Sequence, residues 1–242
     1  MVNPAIRLNP KLDINALAAA FAGAGRVHIA DVLEEEAAQR VHACLVEEIA
    51  WNLTWCDEEG TKNLFARERA SKTQQELQAI RAGAFERARS GKFQFLYSNF
   101  AVEDAYRAKL IDDLYLARFY EFLNAEPFLS AMRTVTGAKT IVHADLQATA
   151  YGPGHFLTEH NDLDVEKGRK VAFVFNFTPE WKAEWGGILQ IIEEGGRTLH
   201  GLVPAFNALN LFKVPTRHVV TQVATFAPAV RLSLTGWLTE RA

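Results

Sequence analysis

The sequence has little cysteine, no long apolar run and no excess of either charge, and each shortage disfavours a class of protein. Cys44 and Cys56 are the two cysteines in 242 residues, which disfavours a disulfide-stapled secreted domain or a sulfur-ligated metal and predicts free thiols in a cytoplasmic protein. No apolar run approaches the roughly 18–20 residues that span a bilayer. The first residues lack the basic and apolar blocks of a secretory signal.

The charge balance argues against polyanionic partners. Lys and Arg number 26, Asp and Glu number 29, and the net charge is −3, so we expect neither a nucleic-acid nor a membrane-surface partner. Hydrophobic residues make up 49% of the chain, enough for the core of one domain. The oligomeric state does not follow from these numbers.

The two parts of the chain differ in pattern. Residues 1–139 read as mainly helical: positions 31–34 resemble a capping box, and Pro127 and Gly137 bracket a helix at 128–136. Residues 140–242 consist of short β-branched and aromatic runs between Gly, Pro and Asn. Strands without intervening helices indicate a sandwich or barrel, so we predict one α+β domain over 1–242 rather than a split at residue 140. The predicted strands include 170–178, 187–192, 208–212, 219–225 and 230–238.

One constellation carries metal chemistry. His160 and Asp162 lie two positions apart, and His218 follows much later. Two imidazoles and one carboxylate are the facial ligand set of non-haem Fe(II) oxygenases, in which the remaining positions on the metal stay open. Strand alternation predicts that the even-numbered residues from Phe156 to Asp162 face the metal, while His155 and Glu159 point away. His200 is the alternative distal ligand.

The last predicted strand places polar and apolar residues on opposite faces. Arg231, Ser233, Thr235 and Trp237 alternate with leucines and a glycine. If the apolar face packs against the core, Arg231 points into the barrel, where a buried guanidinium requires an anion. A dicarboxylate that reaches from the metal to Arg231 satisfies this requirement, with Ser233 adding a hydrogen bond. The alternative is a surface strand with Arg231 in water.

Several motifs in residues 140–238 resemble a known family. Tyr151 and Gly154 precede His160 and Asp162 in the pattern Y-x-x-G-x-x-x-x-x-H-x-D. Further similar stretches are Trp185-Gly186-Gly187-Ile188-Leu189, Asn207-Ala208-Leu209-Asn210-Leu211-Phe212 before His218, and Arg231 with Ser233. The chain thus resembles the 2-oxoglutarate/Fe(II)-dependent dioxygenases of the prolyl 4-hydroxylase-like branch, well over the second half and loosely over the first.

The resemblance implies a double-stranded β-helix (jelly-roll, cupin-like) core with N-terminal helices packed on one sheet. It implies His160, Asp162 and His218 as the Fe(II) ligands. It also implies Arg231, Tyr151 and Ser233 as the 2-oxoglutarate-binding residues, with Asn176, Thr235 and Trp237 lining the cavity. Tyr151 could instead be a core aromatic residue. Asn176 stands where animal oxygen-sensing relatives carry a second cavity tyrosine.

The activity implied by the resemblance is hydroxylation of a C–H bond with 2-oxoglutarate and O₂, releasing succinate and CO₂, with ascorbate as a reductant. The substrate is a prolyl residue in a protein or a free small molecule. The alternative is a non-redox cupin-type metalloenzyme or a metal-binding sensor domain, neither of which requires an arginine opposite an open metal face. The interval from His218 to Arg231, 13 positions, is longer than is usual in the family.

Residues 61–92 carry eight basic and three acidic residues. One hypothesis is a lid that covers the site and attracts an anionic substrate. The other is a solvated helix.

Overall fold

The computed structural model describes residues 3–193, 195–197 and 199–241. In these ranges the α-helices are α1 (Ile14–Ala24), α2 (Glu35–Glu47), α3 (Ala66–Ser71), α4 (Gln74–Arg89), α5 (Val102–Arg107), α6 (Tyr115–Leu123) and α7 (Glu126–Thr136). The strands are β1 (Arg26–Ile29), β2 (Asn52–Asp57), β3 (Gly60–Leu64), β4 (Phe95–Phe100), β5 (His143–Ala144), β6 (Gln147–Tyr151), β7 (Phe156–His160), β8 (Arg169–Asn176), β9 (Leu189–Ile192), β10 (Leu199–Leu202), β11 (Ala208–Lys213), β12 (His218–Val220) and β13 (Arg231–Thr239).

The strands form one curled antiparallel sheet in the order β1-β11-β8-β13-β6-β4-β7-β12-β9-β10, with β2 on β4, β3 on β2 and β5 on β13. This arrangement confirms the predicted double-stranded β-helix. The part before residue 140 is less uniformly helical than predicted, because β1 to β4 lie there. Their pairing partners include strands of the second half, which local sequence patterns do not reveal. Since β4 lies between β6 and β7, both halves share one sheet, which favours a single domain.

The helices cover one face of the sheet, as expected. Phe119 of α6 packs edge-on against Phe175 of β8, with ring centroids 5.3 Å apart. Leu234 and Leu238 of β13 are fully buried in the same cluster. The even-numbered face of β13 therefore meets the helical layer, and its odd-numbered face is left to line the interior of the barrel.

The start of α2 differs from the prediction. Glu34, not Asp31, is the N-cap residue, and its side chain makes no capping bond. Asp31 has a positive φ of 48°, and the Leu33 N–H donates to the side chain of Asn207 at 3.0 Å. A long-range contact therefore replaces the local capping box. By contrast, α7 ends as predicted at Gly137, whose φ is 69°.

Candidate active site

The three predicted metal ligands converge at one end of the barrel interior. His160 and His218 face each other across β7 and β12, with imidazole centroids 4.0 Å apart. Asp162 Oδ1 lies 3.3 Å from His160 Nε2, and Asp162 Oδ2 lies 3.4 Å from His218 Nε2. Ligands about 2.0–2.2 Å from an ion lie about 3 Å apart when they are neighbours, so this donor set fits one divalent metal ion.

Strand alternation did not bring these groups together in the way the sequence predicted. The register between β7 and β12 shifts, because His160 opposes His218 whereas Leu157 opposes Val220. The extra β7 residue is a bulge, and it turns Phe156 outward and Leu157 toward the cavity. Asp162 lies beyond the strand, in a left-handed conformation with a φ of 62°. The predicted inward face of β7 was therefore wrong for Phe156 and for Thr158.

Backbone carbonyls orient both imidazoles. His160 Nδ1 lies 3.0 Å from the Thr158 carbonyl, and His218 Nδ1 lies 2.8 Å from the Thr216 carbonyl. A proton on each Nδ1 leaves the Nε2 lone pair free for a metal. Burial and repulsion from His160 lower the pKa of His218 to about 4. Burial opposes ionisation of Asp162, but the two imidazoles outweigh it and lower its pKa below the usual value.

The ligands open onto a cavity of about 830 Å³. Phe93 at its rim lies 5.8 Å from the His160 ring and is 46% exposed. Leu163 at the same rim is 57% exposed. The ion pair between Arg217 and Glu159 also lines the cavity. Glu159 thus lines the cavity, although alternation predicted that it points away.

Arg231 lies at the deep end of this cavity and is 2% exposed. Its Nη1 donates to the Gly187 carbonyl at 2.7 Å, while its Nε has no protein partner. Among the residues that the structure describes, no carboxylate lies within 4.0 Å of this guanidinium. Burial lowers its pKa to about 10. The odd-numbered face of β13 is therefore buried and cationic, and the surface-strand alternative was wrong.

Of the other predicted co-substrate and cavity residues, Tyr151 lines the cavity beside Arg231, whereas Ser233 and Asn176 pair with each other in the sheet and are not among the described lining residues. Tyr151 opposes Arg231 on β6, with its ring 5.5 Å from the guanidinium carbon. Ser233 is fully buried, and its hydroxyl donates to Asn176 Oδ1 at 3.3 Å. Asn176 Nδ2 is buried without a partner. Buried polar groups without partners are rare in folded proteins, so this end of the barrel has donors available for an anion.

Two residues that the sequence analysis missed complete the lining. Tyr97 of β4 stacks on Tyr151 at 4.9 Å, and burial raises the pKa of both phenols. Arg169 lies 3.5 Å over the Trp237 ring and donates to the Asp162 carbonyl at 3.3 Å. Thr235 also lines the cavity. Arg169 could have been predicted as a site residue, because it lies at the first position of β8, next to the predicted strand 170–178. Tyr97 could not, because it lies in the part of the chain that was predicted to be mainly helical.

The remaining histidine candidates lie elsewhere. His200 is exposed on β10 and is not part of the ligand cluster. His155 is buried on the outer side of β6 and β7, where its Nδ1 accepts from the Gly152 N–H at 3.1 Å. Its predicted direction, away from the metal, was right.

The long interval between His218 and Arg231 has a structural reason. Residues 221–230 pack over the two glycines that precede β9. A Cβ on Gly186 would lie 2.1 Å from the Gln222 carbonyl, and the φ of Gly186 is 67°, so only glycine is compatible with this contact.

The basic segment 61–92 does not form a lid. It forms β3, α3 and α4, and α4 packs through Ala84 against Leu96 and Phe156 on the outer side of the sheet. Of this segment, the described cavity lining includes only Thr61. The lid hypothesis was wrong because the apolar side of α4 anchors the helix behind the sheet.

Acidic neighbours also neutralise part of the segment's charge. Arg87 and Lys92 both pair with Glu58, and Arg89 pairs with Glu86. These pairs lie on the exterior, so the segment supplies no strong attraction toward the metal-binding end of the cavity.

The chain resembles known proteins at two levels. Residues 146–239 match the model of the 2OG-Fe(II) oxygenase superfamily. A stretch of 119 residues, 46% of this chain, is 30% identical to prolyl 3-hydroxylase OGFOD1 of Xenopus laevis. The chain covers 23% of that protein's length, less than a quarter.

Solved structures agree in fold. A Pseudomonas putida prolyl-4-hydroxylase superimposes with a TM-score of 0.53 at 17% identity, covering 95% of this chain and all of that one. A Trichoplax adhaerens prolyl hydroxylase in complex with a hypoxia inducible factor peptide gives 0.63 at 14% identity, covering 94% and 89%. No helix among the described residues is long and apolar enough to cross a membrane. Residues 146–239 thus match the 2OG-Fe(II) oxygenase superfamily, and the fold of the chain is that of the solved prolyl hydroxylases.

Proposed function

We propose that this chain is a 2-oxoglutarate- and Fe(II)-dependent hydroxylase. His160, Asp162 and His218 would hold the metal ion, and Arg231 would hold the distal carboxylate of 2-oxoglutarate. The domain match and the convergence of the three ligand atoms within 4.8 Å of one another support this assignment. When bound, Fe(II) supplies oxidative decarboxylation of 2-oxoglutarate by O₂, giving succinate, CO₂ and a hydroxylated product.

The environment of Arg231 is the observation that carries the proposal. A buried guanidinium without a carboxylate is costly, and Arg231 faces the same cavity as the metal ligands. A carboxylate at this position would gain bidentate hydrogen bonds from Arg231, joined by the unpaired Asn176 Nδ2. A non-redox metalloenzyme or a sensor domain has no need of this arginine, so the alternative is disfavoured.

The chain's own residues would bind, orient and shield the reactants. Thr158 and Thr216 carbonyls hold the imidazoles in the tautomer that a metal requires. The stacked rings of Tyr97 and Tyr151 exclude water beside Arg231, which strengthens its attraction for a carboxylate. Arg169 stacks on the Trp237 ring and donates to the Asp162 carbonyl, so it links the cavity wall to the metal-binding turn.

For the substrate we propose a prolyl residue within a polypeptide. The prolyl hydroxylases among the similar proteins support this choice, as do the exposed Phe93 and Leu163 at the cavity rim. Exposed apolar side chains beside a reaction cavity suit an extended chain that lies across the rim. Free buried thiols at Cys44 and Cys56 favour a cytoplasmic location.

Turnover of 2-oxoglutarate tests this function. With Fe(II), ascorbate and O₂, the protein is expected to release succinate slowly without a substrate and faster with prolyl peptides. His218→Ala should abolish the release, whereas His200→Ala, a matched change outside the ligand cluster, should leave it intact. Equal release by both variants would refute the metal assignment. Stimulation by free proline but by no peptide would refute the polypeptide substrate.

A further inference from the structure

A second cavity lies behind the wall that carries Arg231 and has a volume of about 440 Å³. We name it the rear cavity. Its lining combines Arg69, Arg81 and His155 with a mainly apolar surround that includes Val46, Trp51 and Val230.

Strand alternation separates the two cavities. On β4, β6 and β13, the row Tyr97, Tyr151 and Arg231 faces the active site. The adjacent row, in which Ser98 opposes Ala150 and Ala150 opposes Leu232, faces the rear cavity. One layer of sheet therefore separates the rear cavity from the co-substrate residues.

Arg81 of the rear cavity differs from two later arginines of the same helix. Arg87 and Arg89 of α4 have acidic partners. Within the described residues, no carboxylate lies within 4.0 Å of Arg69 or Arg81. Arg69 is half-buried and its Nη1 donates to the Ser98 hydroxyl at 3.0 Å; burial lowers its pKa. Arg81 is exposed. A half-buried guanidinium beside an exposed one, neither with a counter-ion, attracts anions.

The turn between β6 and β7 comes close to Arg81. A Cβ on Gly154 would lie 3.3 Å from Arg81 Nη1, so the guanidinium rests against the β6–β7 turn. His155, in the same turn, lines both the rear cavity and a smaller cavity of about 90 Å³ that Arg69 and Arg81 share. In the tautomer that accepts the Gly152 N–H at Nδ1, its Nε2 carries a proton and adds a donor.

We propose that the rear cavity is a binding site for a small organic anion, a carboxylate or phosphate group joined to an apolar body. Arg69 and Arg81 bind the anionic group, since a guanidinium fork matches either oxyanion. Trp51, Val46 and Val230 contact the apolar body. Val46 and Val230 are 57% and 44% exposed, so the apolar side is open to solvent and reached from outside, independently of the active site.

Calorimetric titration of the full chain tests this site with four probes: phenyl phosphate, benzoate, inorganic phosphate and benzyl alcohol. The wild type should bind phenyl phosphate or benzoate saturably, and the tighter of the two identifies the anionic group. Inorganic phosphate should bind more weakly because it lacks the apolar body, and benzyl alcohol because it lacks the charge. If benzyl alcohol bound as tightly as the better anion, the arginines would have no role in binding. If inorganic phosphate bound as tightly, the apolar surround would have none.

Variants locate the binding. Arg69→Gln combined with Arg81→Gln should weaken the better probe at least about tenfold, since charge-assisted hydrogen bonds are lost. Arg67→Gln, an exposed change on the same helix as Arg69, should leave binding unchanged. Val46→Trp, at the solvent-exposed rim, should block the cavity without touching either arginine. Arg231→Ala should retain binding.

Three results would overturn the proposal. The first is that neither anion binds saturably to the wild type. The second is that the double variant binds as tightly as the wild type. The third is that Arg231→Ala abolishes binding, which would place the bound anion in the active site. Val46→Trp keeps the test decisive if the double variant does not fold, because unimpaired binding by Val46→Trp contradicts the site.

Discussion

Two of the strands that line the candidate active site, β13 and β7, differ in how they follow simple alternation, and of these two only β13 obeys it. β13 pairs with β6 from Arg231 to Thr235 and with β8 from Ser233 to Thr239, with no register shift before Leu238, so its odd and even faces stay separate from Arg231 to Trp237. β7 has five residues and a bulge against β12. Alternation is reliable where long, regular ladders fix the pleat, and unreliable where a short strand ends at a bulge.

The bulge has a functional consequence. It moves Leu157 into the cavity and leaves Thr158 on the outer side, where its hydroxyl exchanges hydrogen bonds with the backbone of Gln94. The positive φ of Asp162 then returns its carboxylate to the site. The metal-binding end therefore depends on local irregularity, whereas the Arg231 end depends on a regular ladder.

The largest expected effect tests the turn after β7. Asp162→Ala should weaken Fe(II) binding by at least about 100-fold, because it deletes one of three ligands. Asp164→Ala is the matched control, since this carboxylate also lines the cavity but lies outside the ligand cluster. Anaerobic Fe(II) titration measures both affinities. Equal losses in the two variants would show that the turn, not the Asp162 carboxylate, matters.

The next effect tests the regular face of β13. Arg231→Ala should raise the apparent KM for 2-oxoglutarate by the equivalent of about 2–4 kcal/mol, because a buried charge-assisted contact is lost. Arg217→Ala removes a rim arginine that pairs with Glu159 and should change KM little. Succinate release at varied 2-oxoglutarate measures both. An unchanged KM in Arg231→Ala would refute the assignment of the deep end.

A third prediction concerns close packing under β13. A Cβ on Gly236 would lie 2.4 Å from the Asp145 carbonyl and 2.7 Å from the Phe173 ring. Gly236→Ala should therefore lower the free energy of unfolding by about 1–3 kcal/mol or more. Gly83→Ala, in α4 with open space around it, should raise it by about 0.5–1 kcal/mol. Urea denaturation measures both, and a stable Gly236→Ala would contradict the tight ladder.

The pH dependence of stability tests the outer side of the β6–β7 turn. Burial lowers the pKa of His155 to about 4, against about 6.5 in the unfolded chain. The unfolded state therefore binds the proton first, and the stability present above pH 6.5 is lost as pH falls toward 4. From pH 6.5 to 5.0 this loss is about 1.5 kcal/mol.

His155→Gln removes that titration and should show a correspondingly smaller loss in urea denaturation. His28→Gln, a change at an exposed histidine that bonds to Asn210, serves as the control and should keep the wild-type slope. If His155→Gln also keeps that slope, His155 is not the group responsible.

The smallest effect tests the bulge itself. Thr158→Val should lower the free energy of unfolding by about 1 kcal/mol, because the hydroxyl bonds to Gln94 are lost. Fe(II) affinity should be unchanged, since Thr158 reaches the site only through its backbone carbonyl. A large loss of Fe(II) affinity would show instead that the Thr158 side chain faces the metal-binding site, as simple alternation of β7 predicts.

The sequence by itself determined which residues make up the candidate site. His160, Asp162 and His218 are the residue types that an open metal site requires, and the polar face of the last strand placed Arg231 in the interior. The helix before Gly137 and the strands after residue 140 also followed from local patterns, because hydrophobic residues recur with a period of 3.6 in a helix and of 2 in a strand.

Only the tertiary structure decided how these parts meet. Tyr97 joins the site because β4 inserts between β6 and β7, a pairing between residues far apart in sequence. The basic segment 61–92 packs behind the sheet because apolar residues of α4 find partners on β4 and β7. Long-range pairing and packing select among arrangements that local patterns leave equivalent, so the β7 bulge and the rear cavity became visible only in the fold.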